Sequence, residues 1–200
     1  MAFTFFFRDT QTLELVAQYA LPSLKQNRYI RVWDAGCAMG PEPYSIAIIF
    51  RENMGHFLFR NVQIHATDID ESNFESIIQR GVYSEQELGR IPRDIFGKYF
   101  APDGAPGYFQ ISDELRQAVR FYRHDLLSLQ PIREDFGLIV CKNVLLHFKA
   151  EQRVQVIQMF HRALVEGGYL VMEQTQKLPS ELSPLFRQVT EAAQLYQKVG

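Results

Sequence analysis

The chain has 200 residues, 46% of them apolar and 22% charged, which suffices for one packed domain burying about 70% of its unfolded surface without metal or disulfide staples. Its 21 basic and 23 acidic side chains leave a net charge of −2 without a basic run, which argues against nucleic acid phosphates or an acidic membrane as partner. No apolar stretch approaches the ~20 residues of a membrane span, and two cysteines, Cys37 and Cys141, are too few for a disulfide scaffold, so a cytoplasmic protein is expected.

The amino terminus, Met1 to Arg8, is apolar but too short for a signal peptide and lacks a basic start. It is also unusual: the chain has 16 Phe, and four fall within the first seven residues. An exposed segment of that kind invites aggregation, so burial is expected. Asp9 or Thr10 can then cap a helix with Leu13, Val16, Ala17 and Ala20 on one face, stopped near Pro22. Tyr29 to Trp33 reads as a buried strand running into Asp34-Ala35-Gly36. Pro43 suits a first helical turn, and the apolar run from Tyr44 to Phe50 continues that helix, which ends by Gly55.

A second strand spans Val62 to Ala66 and ends at Thr67-Asp68-Ile69-Asp70. A helix follows from about Ser72 to Arg80, with Gly81 as its left-handed stop. Residues 82 to 118 break the rhythm. A short helix from Pro92 to Phe100 leads into the turn-rich stretch Ala101 to Gly107 and then Tyr108 to Ile111, which reads as an inserted subdomain with a small hairpin. Val119 to Tyr122 and Phe136 to Cys141 are further strands. Ala150 to Leu164 is a helix with Val154, Ile157, Phe160 and Leu164 inward, closed by Gly167-Gly168, before a fifth strand from Tyr169 to Met172. This alternation predicts an α/β, Rossmann-like fold: a mostly parallel sheet with helices on both faces, forming one domain over residues 1–200 with the insertion at about 82–118.

In such a sheet the ligand lies beyond the carboxyl ends of the strands. The first strand runs into Asp34-Ala35-Gly36-Cys37-Ala38-Met39-Gly40, where Gly36 and Gly40 would let backbone approach a ligand. The loop lacks both the G-x-G-x-x-G spacing of dinucleotide binders and the G-K-[ST] ending of a P-loop, so no pyrophosphate cradle is evident. Asp68, closing the second strand, is placed to accept hydrogen bonds from both ribose hydroxyls; alternatively it only caps the next helix, a role for which Asp70 is better placed. A glycine loop and an acid without phosphate chemistry suit a nucleoside lacking phosphates, and S-adenosylmethionine is the candidate.

Several segments resemble the CheR-type chemotaxis receptor methyltransferases. Thr4-Phe5-Phe6-Phe7-Arg8 is similar to that family's T-x-F-F-R, and Trp33 to Ser45 (WDAGCAMGPEPYS) to its W-S-A-G-C-S-T-G-E-E-P-Y-S. Ala66-Thr67-Asp68-Ile69-Asp70, Gly81-Val82-Tyr83 and Val140 to Phe148 (VCKNVLLHF) resemble its A-T-D-I-D, G-x-Y and F-C-R-N-V-L-I-Y-F segments, in the same order along nearly the whole chain. The resemblance implies a class I methyltransferase that transfers a methyl group from S-adenosyl-L-methionine to glutamate carboxylates of chemotaxis receptors, leaving S-adenosyl-L-homocysteine. It implies that Thr4 and Arg8 reach the cofactor's methionine end, that Gly36 and Glu42 contact the cofactor, and that Asp68 holds the ribose. Asp125 and Leu126, matching an N-L pair, would frame the adenine, and Lys142 and Asn143 would line the pocket. Arg8 and His147 would stand near the transferred methyl, and the insertion would be the family's β-subdomain, which in some members docks a receptor peptide. The family's usual amino-terminal helical domain is expected to be lacking, and a monomer is favoured.

The sequence departs from the pattern where Pro41 replaces the first Glu of E-E-P-Y-S, Lys142 an Arg, Asp125 an Asn, and His147 the tyrosine near the methyl. Lysine keeps the charge but not the planar fork. A protonated His147 would repel a sulfonium, so reduced activity or a shifted substrate preference is expected. The departures leave two other readings: a cofactor-binding regulatory or scaffold module without methyl transfer, and a small-molecule carboxyl methyltransferase. The remaining histidines lack metal-ligand spacing, and both cysteines read as buried structural thiols.

Overall fold

A computed structural model describes residues 4–69 and 72–199. Two short helices, α1 (Thr10–Tyr19) and α2 (Leu21–Leu24), precede β1 (Ile30–Ala35), α3 (Pro41–Phe59), β2 (Val62–Asp68) and α4 (Phe74–Arg80). Then come β3 (Val82–Ser84), α5 (Glu85–Leu88), α6 (Arg93–Tyr99), β4 (Phe100–Pro102), β5 (Tyr108–Ile111) and α7 (Asp113–Ala118). The chain continues through β6 (Val119–Arg123), β7 (Phe136–Cys141), α8 (Ala150–Ala163), β8 (Leu164–Met172), β9 (Phe186–Thr190) and β10 (Leu195–Lys198).

Seven strands form one sheet in the order β6-β2-β1-β7-β8-β10-β9. The first five run parallel, while β10 lies antiparallel to both β8 and β9. Strand order therefore reverses between β1 and β7, and the carboxyl ends of those strands open the crevice that a Rossmann-like sheet uses for ligands. Period-two alternation divides the central strands between two cores. Val32, Leu138, Val140 and Val171 face α1, α3 and α7, whereas Trp33, Ile139, Leu170 and Met172 face Val156, Ile157 and Phe160 of α8. Residues 82–118 carry a three-stranded antiparallel sheet, β3-β5-β4, rather than a hairpin alone. Tyr83, Leu88, Tyr99, Phe100, Ile111 and Leu115 of this segment join the first of the two cores.

Several boundaries differ from expectation for identifiable reasons. Asp9 occupies the N-cap position of α1 in a left-handed conformation but makes no capping bond, and the Thr10 hydroxyl instead donates to the Phe7 carbonyl at 2.6 Å. Pro22 opens α2 rather than ending α1, a position where its missing N–H costs nothing. Gly55 (φ 74°) breaks α3, and the chain resumes a helical turn to Phe59. The α8 helix stops at Ala163: buried Leu164 pairs with Phe136 in the sheet, so Gly167 and Gly168 lie within β8 instead of closing the helix. Val154 is only half-buried, and Val156 and Met159 fill the inward face beside Ile157 and Phe160. Gly81 stops α4 in the left-handed conformation, as expected, and Asn73 holds its N-cap. Asp70 lies outside the described residues.

Of the aromatic amino-terminal segment, Phe6 is buried, while Phe5 and Phe7 are half-buried. Phe6 is fully buried, with its ring edge-on to Tyr83 at 4.9 Å and to Phe100 at 5.7 Å, so it wedges against the small sheet. The Phe7 N–H donates to Ser45 Oγ of α3 at 2.9 Å.

One buried titratable group outside the crevice sets an acid limit on stability. His65 of β2 stacks on Tyr122 at 5.6 Å, and burial, with the fields of Arg133, Arg120 and Arg31, holds its pKa down to about 4. The folded chain keeps it neutral while the unfolded chain protonates it near 6.5, so stability falls as pH drops from 6.5 towards 4 and no further below. His65→Phe is expected to remove this part of the acid sensitivity, worth about 3 kcal/mol at most. Urea unfolding midpoints of both proteins across that pH range check it.

Candidate active site

A cavity of about 600 Å³ opens at the reversal point, within the usual range for small-ligand sites. Thr4, Arg8, Gly36, Glu42, Asp68, Asp125, Leu126, Lys142, Asn143 and His147 all line it, although they come from five separate stretches of chain.

Each stretch arrives there for a local reason. Gly36 leaves β1 with φ 100°, and its N–H, with that of Cys37, donates to the Thr67 carbonyl at the end of β2. A Cβ at Gly36 would sit 2.1 Å from Val144 Cγ2, so hydrogen is required there to admit the loop after β7. The corresponding space at Gly40 is filled by the Tyr83 hydroxyl and Ile78, at 2.7 and 2.8 Å from a hypothetical Cβ. Both glycines thus make room for protein side chains, which corrects the expectation of close ligand approach at Gly40.

Asp68 closes β2, and its Oδ2 accepts from the Ala38 N–H at 2.9 Å, bracing the glycine loop. The N-cap position of α4 is held by Asn73. Asp125 Oδ1 accepts from the Leu127 N–H at 2.8 Å and shapes a 3-10 turn that lays Leu126 and Leu127 along the wall. His147 ends a second 3-10 turn and stands exposed at the rim.

Lys142 is buried and does more than line the pocket. Its Nζ lies 2.9 Å from Glu42 Oε2, donates to the Arg8 carbonyl at 3.2 Å, and lies 4.0 Å from Asp9 Oδ2. The Arg8 guanidinium donates through Nη2 to Asn143 Oδ1 at 2.9 Å. Phe7 and Asp9, on either side of Arg8, both sit at φ 56°, a conformation costly for residues with a Cβ. Ser45, Lys142 and Asn143 hold this strained turn in place, so the amino-terminal segment is stitched to α3 and to the loop after β7.

Two further acids sit at the site: Glu173, which the sequence marks as a polar residue after the last strand without deciding its role, and Asp34, to which it assigns none. Asp34, the next-to-last residue of β1 before the glycine loop, is fully buried beside Glu42. Glu173, just past β8, accepts from the Asn143 N–H through Oε2 at 3.2 Å, and burial raises its carboxyl pKa. Strand-end position was the available signal for both. Cys37 and Cys141 are buried free thiols, and burial pushes both pKa values well up, away from reactivity.

Residues 2–194 match the model of the CheR methyltransferase SAM-binding domain. The chain belongs to the CheR methyltransferase family. Relatives include a chemotaxis protein methyltransferase of Vibrio parahaemolyticus, 33% identical over 88% of this chain and 64% of the relative. Chemotaxis protein methyltransferase 1 of Pseudomonas aeruginosa is also 33% identical, over 88% of this chain and 66% of its own length. The chain thus spans somewhat less than two thirds of either of these curated relatives. Among solved structures, the N-methyltransferase NodS from Bradyrhizobium japonicum, in complex with S-adenosyl-L-homocysteine, is 13% identical and aligns over 96% of this chain and 87% of its own, with a TM-score of 0.52. That likeness and the sheet order identify the Rossmann-like fold of class I methyltransferases. The CheR domain family is described by the cofactor it binds, S-adenosylmethionine, and the cavity fits that group: an acid after β2, apolar Leu126 and Val144 on the walls, and Glu42 with Arg8 at the inner end.

Proposed function

We propose that this CheR family member methylates glutamate side-chain carboxylates of chemotaxis receptors, with S-adenosylmethionine as donor and S-adenosylhomocysteine as product. The convergence of ten residues from five stretches of chain on one cavity at the strand-order reversal carries this reading. Asp68 would accept hydrogen bonds from the ribose hydroxyls through the side chain that also braces Ala38. Leu126 and Asp125 would frame the adenine, and Glu42 with Thr4 and Arg8 would hold the amino acid end. Residues 82–118 form a subdomain on this reading, beside the path a receptor segment would take.

Bound S-adenosylmethionine would supply a methyl group on a sulfonium, which a carboxylate oxygen takes without proton transfer. The protein's part is then alignment and exclusion of water. The pinned turn around Arg8 contributes the first, and Phe148, Leu146 and Ile69 around the mouth contribute the second. His147, exposed at that mouth, meets the incoming substrate.

Tritiated-methyl transfer to receptor-containing membranes tests the proposal, with base-labile release as the signature of a carboxyl methyl ester. Base-stable label would overturn it in favour of nitrogen methylation. In the same assay His147→Tyr is expected to raise kcat several-fold with cofactor Kd unchanged; no gain would sink the assignment of His147 beside the substrate. Asp68→Asn keeps an acceptor for the Ala38 N–H but loses the charge, so cofactor affinity should fall roughly 10- to 100-fold with little change in melting temperature. Isothermal titration and a thermal melt of the same sample separate the two effects.

A further inference from the structure

Asp34 is an acid with nothing to neutralise it directly. Its side chain is 0% exposed, and neither carboxyl oxygen receives a hydrogen bond from a donor among the described residues. Glu42 is the acid beside it, and its field bears on Asp34. A fully buried carboxyl with no donor and a second acid beside it holds a proton rather than a charge. Lys142 supplies one positive charge, and Glu42 Oε2 already engages it at 2.9 Å.

The surrounding groups are arranged accordingly. Glu42 comes from α3, Asp68 from the end of β2, Cys37 from the glycine loop, Cys141 from β7, Lys142 from the loop after β7, and Glu173 from the loop after β8. Burial, then the fields of Glu42 and Asp68, push the Asp34 carboxyl well above the usual range, with Lys142 alone pulling it down. The two thiols remain neutral. One cation thus serves a buried pair of acids, and the charges balance when the pair holds one proton.

Glu42 lines the cavity, whereas Asp34 lies behind it. A cation placed in the cavity therefore acts on Asp34 through Glu42 without touching it. We infer that Asp34 is a proton reservoir for the cavity: the free protein stores one proton between Asp34 and Glu42, and an α-ammonium group arriving beside Glu42 expels it. The inference rests on the reading of the cavity as the S-adenosylmethionine site. With Asp34 a stronger acid in the complex than in the free protein, binding releases up to one proton. Affinity accordingly rises with pH, by up to tenfold per unit, between the two titration points.

Isothermal titration with S-adenosylhomocysteine, which has the ammonium group and no sulfonium, tests this in buffers of different ionisation enthalpy. The wild-type protein should show buffer-dependent heat corresponding to release approaching one proton. Asp34→Asn, which keeps a hydrogen-bond donor towards Glu42 in neutral form, should bind with buffer-independent heat. Infrared spectra of the free wild-type protein should show a protonated-carboxyl band that Asp34→Asn lacks; Asp34→Ser serves if the asparagine variant fails to fold. Binding without proton exchange, or release undiminished in the variant, overturns the inference while leaving the cofactor reading intact. Absence of any binding overturns the cofactor reading and the linkage with it, and the infrared band then reports on Asp34 alone.

Discussion

Replacing Lys142 with methionine is expected to destabilise the fold by about 3–5 kcal/mol, the usual cost of orphaning one member of a buried ion pair. The Lys142 side chain is 1% exposed and that of Glu42 9%, so water cannot take over the missing cation's role. Methionine matches the length of the lysine stem, which confines the change to charge and hydrogen bonding. The damage should also reach the cavity. Lys142 donates to the Arg8 carbonyl, and Arg8 lies in a turn whose neighbours are both left-handed, so loss of that tether lets the turn relax and draws the guanidinium from Asn143. S-adenosylhomocysteine affinity, read by titration, should fall together with the urea midpoint. Lys142→Arg keeps the charge and should lose far less stability. Lys142→Met combined with Glu42→Gln removes both ions, and its loss should be smaller than the sum of the single losses. A double variant with strictly additive losses would show that the 2.9 Å contact couples the residues weakly.

Much of this architecture is legible in the chain because its signals are short-range. The strands β1, β2 and β7 are apolar runs that end in chemically loaded residues, and Gly81 stops α4 where a left-handed residue is needed. What escapes is whatever depends on a distant partner. The strands β9 and β10 carry a mixed pattern, buried at Phe186, Leu195 and Tyr196 and otherwise mostly open, and they become strands by pairing with β8 and with each other. Helical spacing in α8 runs on to Leu164, and only the pairing of that residue with Phe136 shows that the helix has already ended.

The candidate site divides along the same line. Motif positions place Lys142, Glu42 and Arg8 near one another, but not that the lysine tethers a backbone carbonyl 134 residues away. Asp34 looks like an ordinary strand-end acid beside a glycine loop. Its confinement against Glu42 follows from α3 turning back over β1, a tertiary fact without a local signature. The Phe-rich terminus is similar: composition demands that it be buried, but the small sheet that receives Phe6 is assembled from residues 82–111.

Gly36→Ala is expected to be nearly as damaging as the loss of Lys142, for steric rather than electrostatic reasons. The added Cβ would lie 2.1 Å from Val144 Cγ2, far inside contact distance, and φ of 100° is strained for alanine whatever the space. Retreat is blocked on one side by the Gly36 N–H bond to the Thr67 carbonyl at 2.7 Å. Val144 cannot easily give way either, because it follows Asn143, which is itself left-handed and bonded to both Arg8 and Glu173. Overpacking of this kind costs ~1–3 kcal/mol, and the left-handed backbone adds ~1–2 kcal/mol. Both residues line the cavity, so any accommodation also narrows it, and cofactor affinity should fall with stability. Val144→Ala in the same chain removes the opposing methyl groups. The double variant should regain the overpacking part of the loss but not the backbone part, leaving a melting temperature between those of the wild type and Gly36→Ala. Complete recovery would show that backbone strain at Gly36 contributes little, and no recovery would place the cost in the backbone alone.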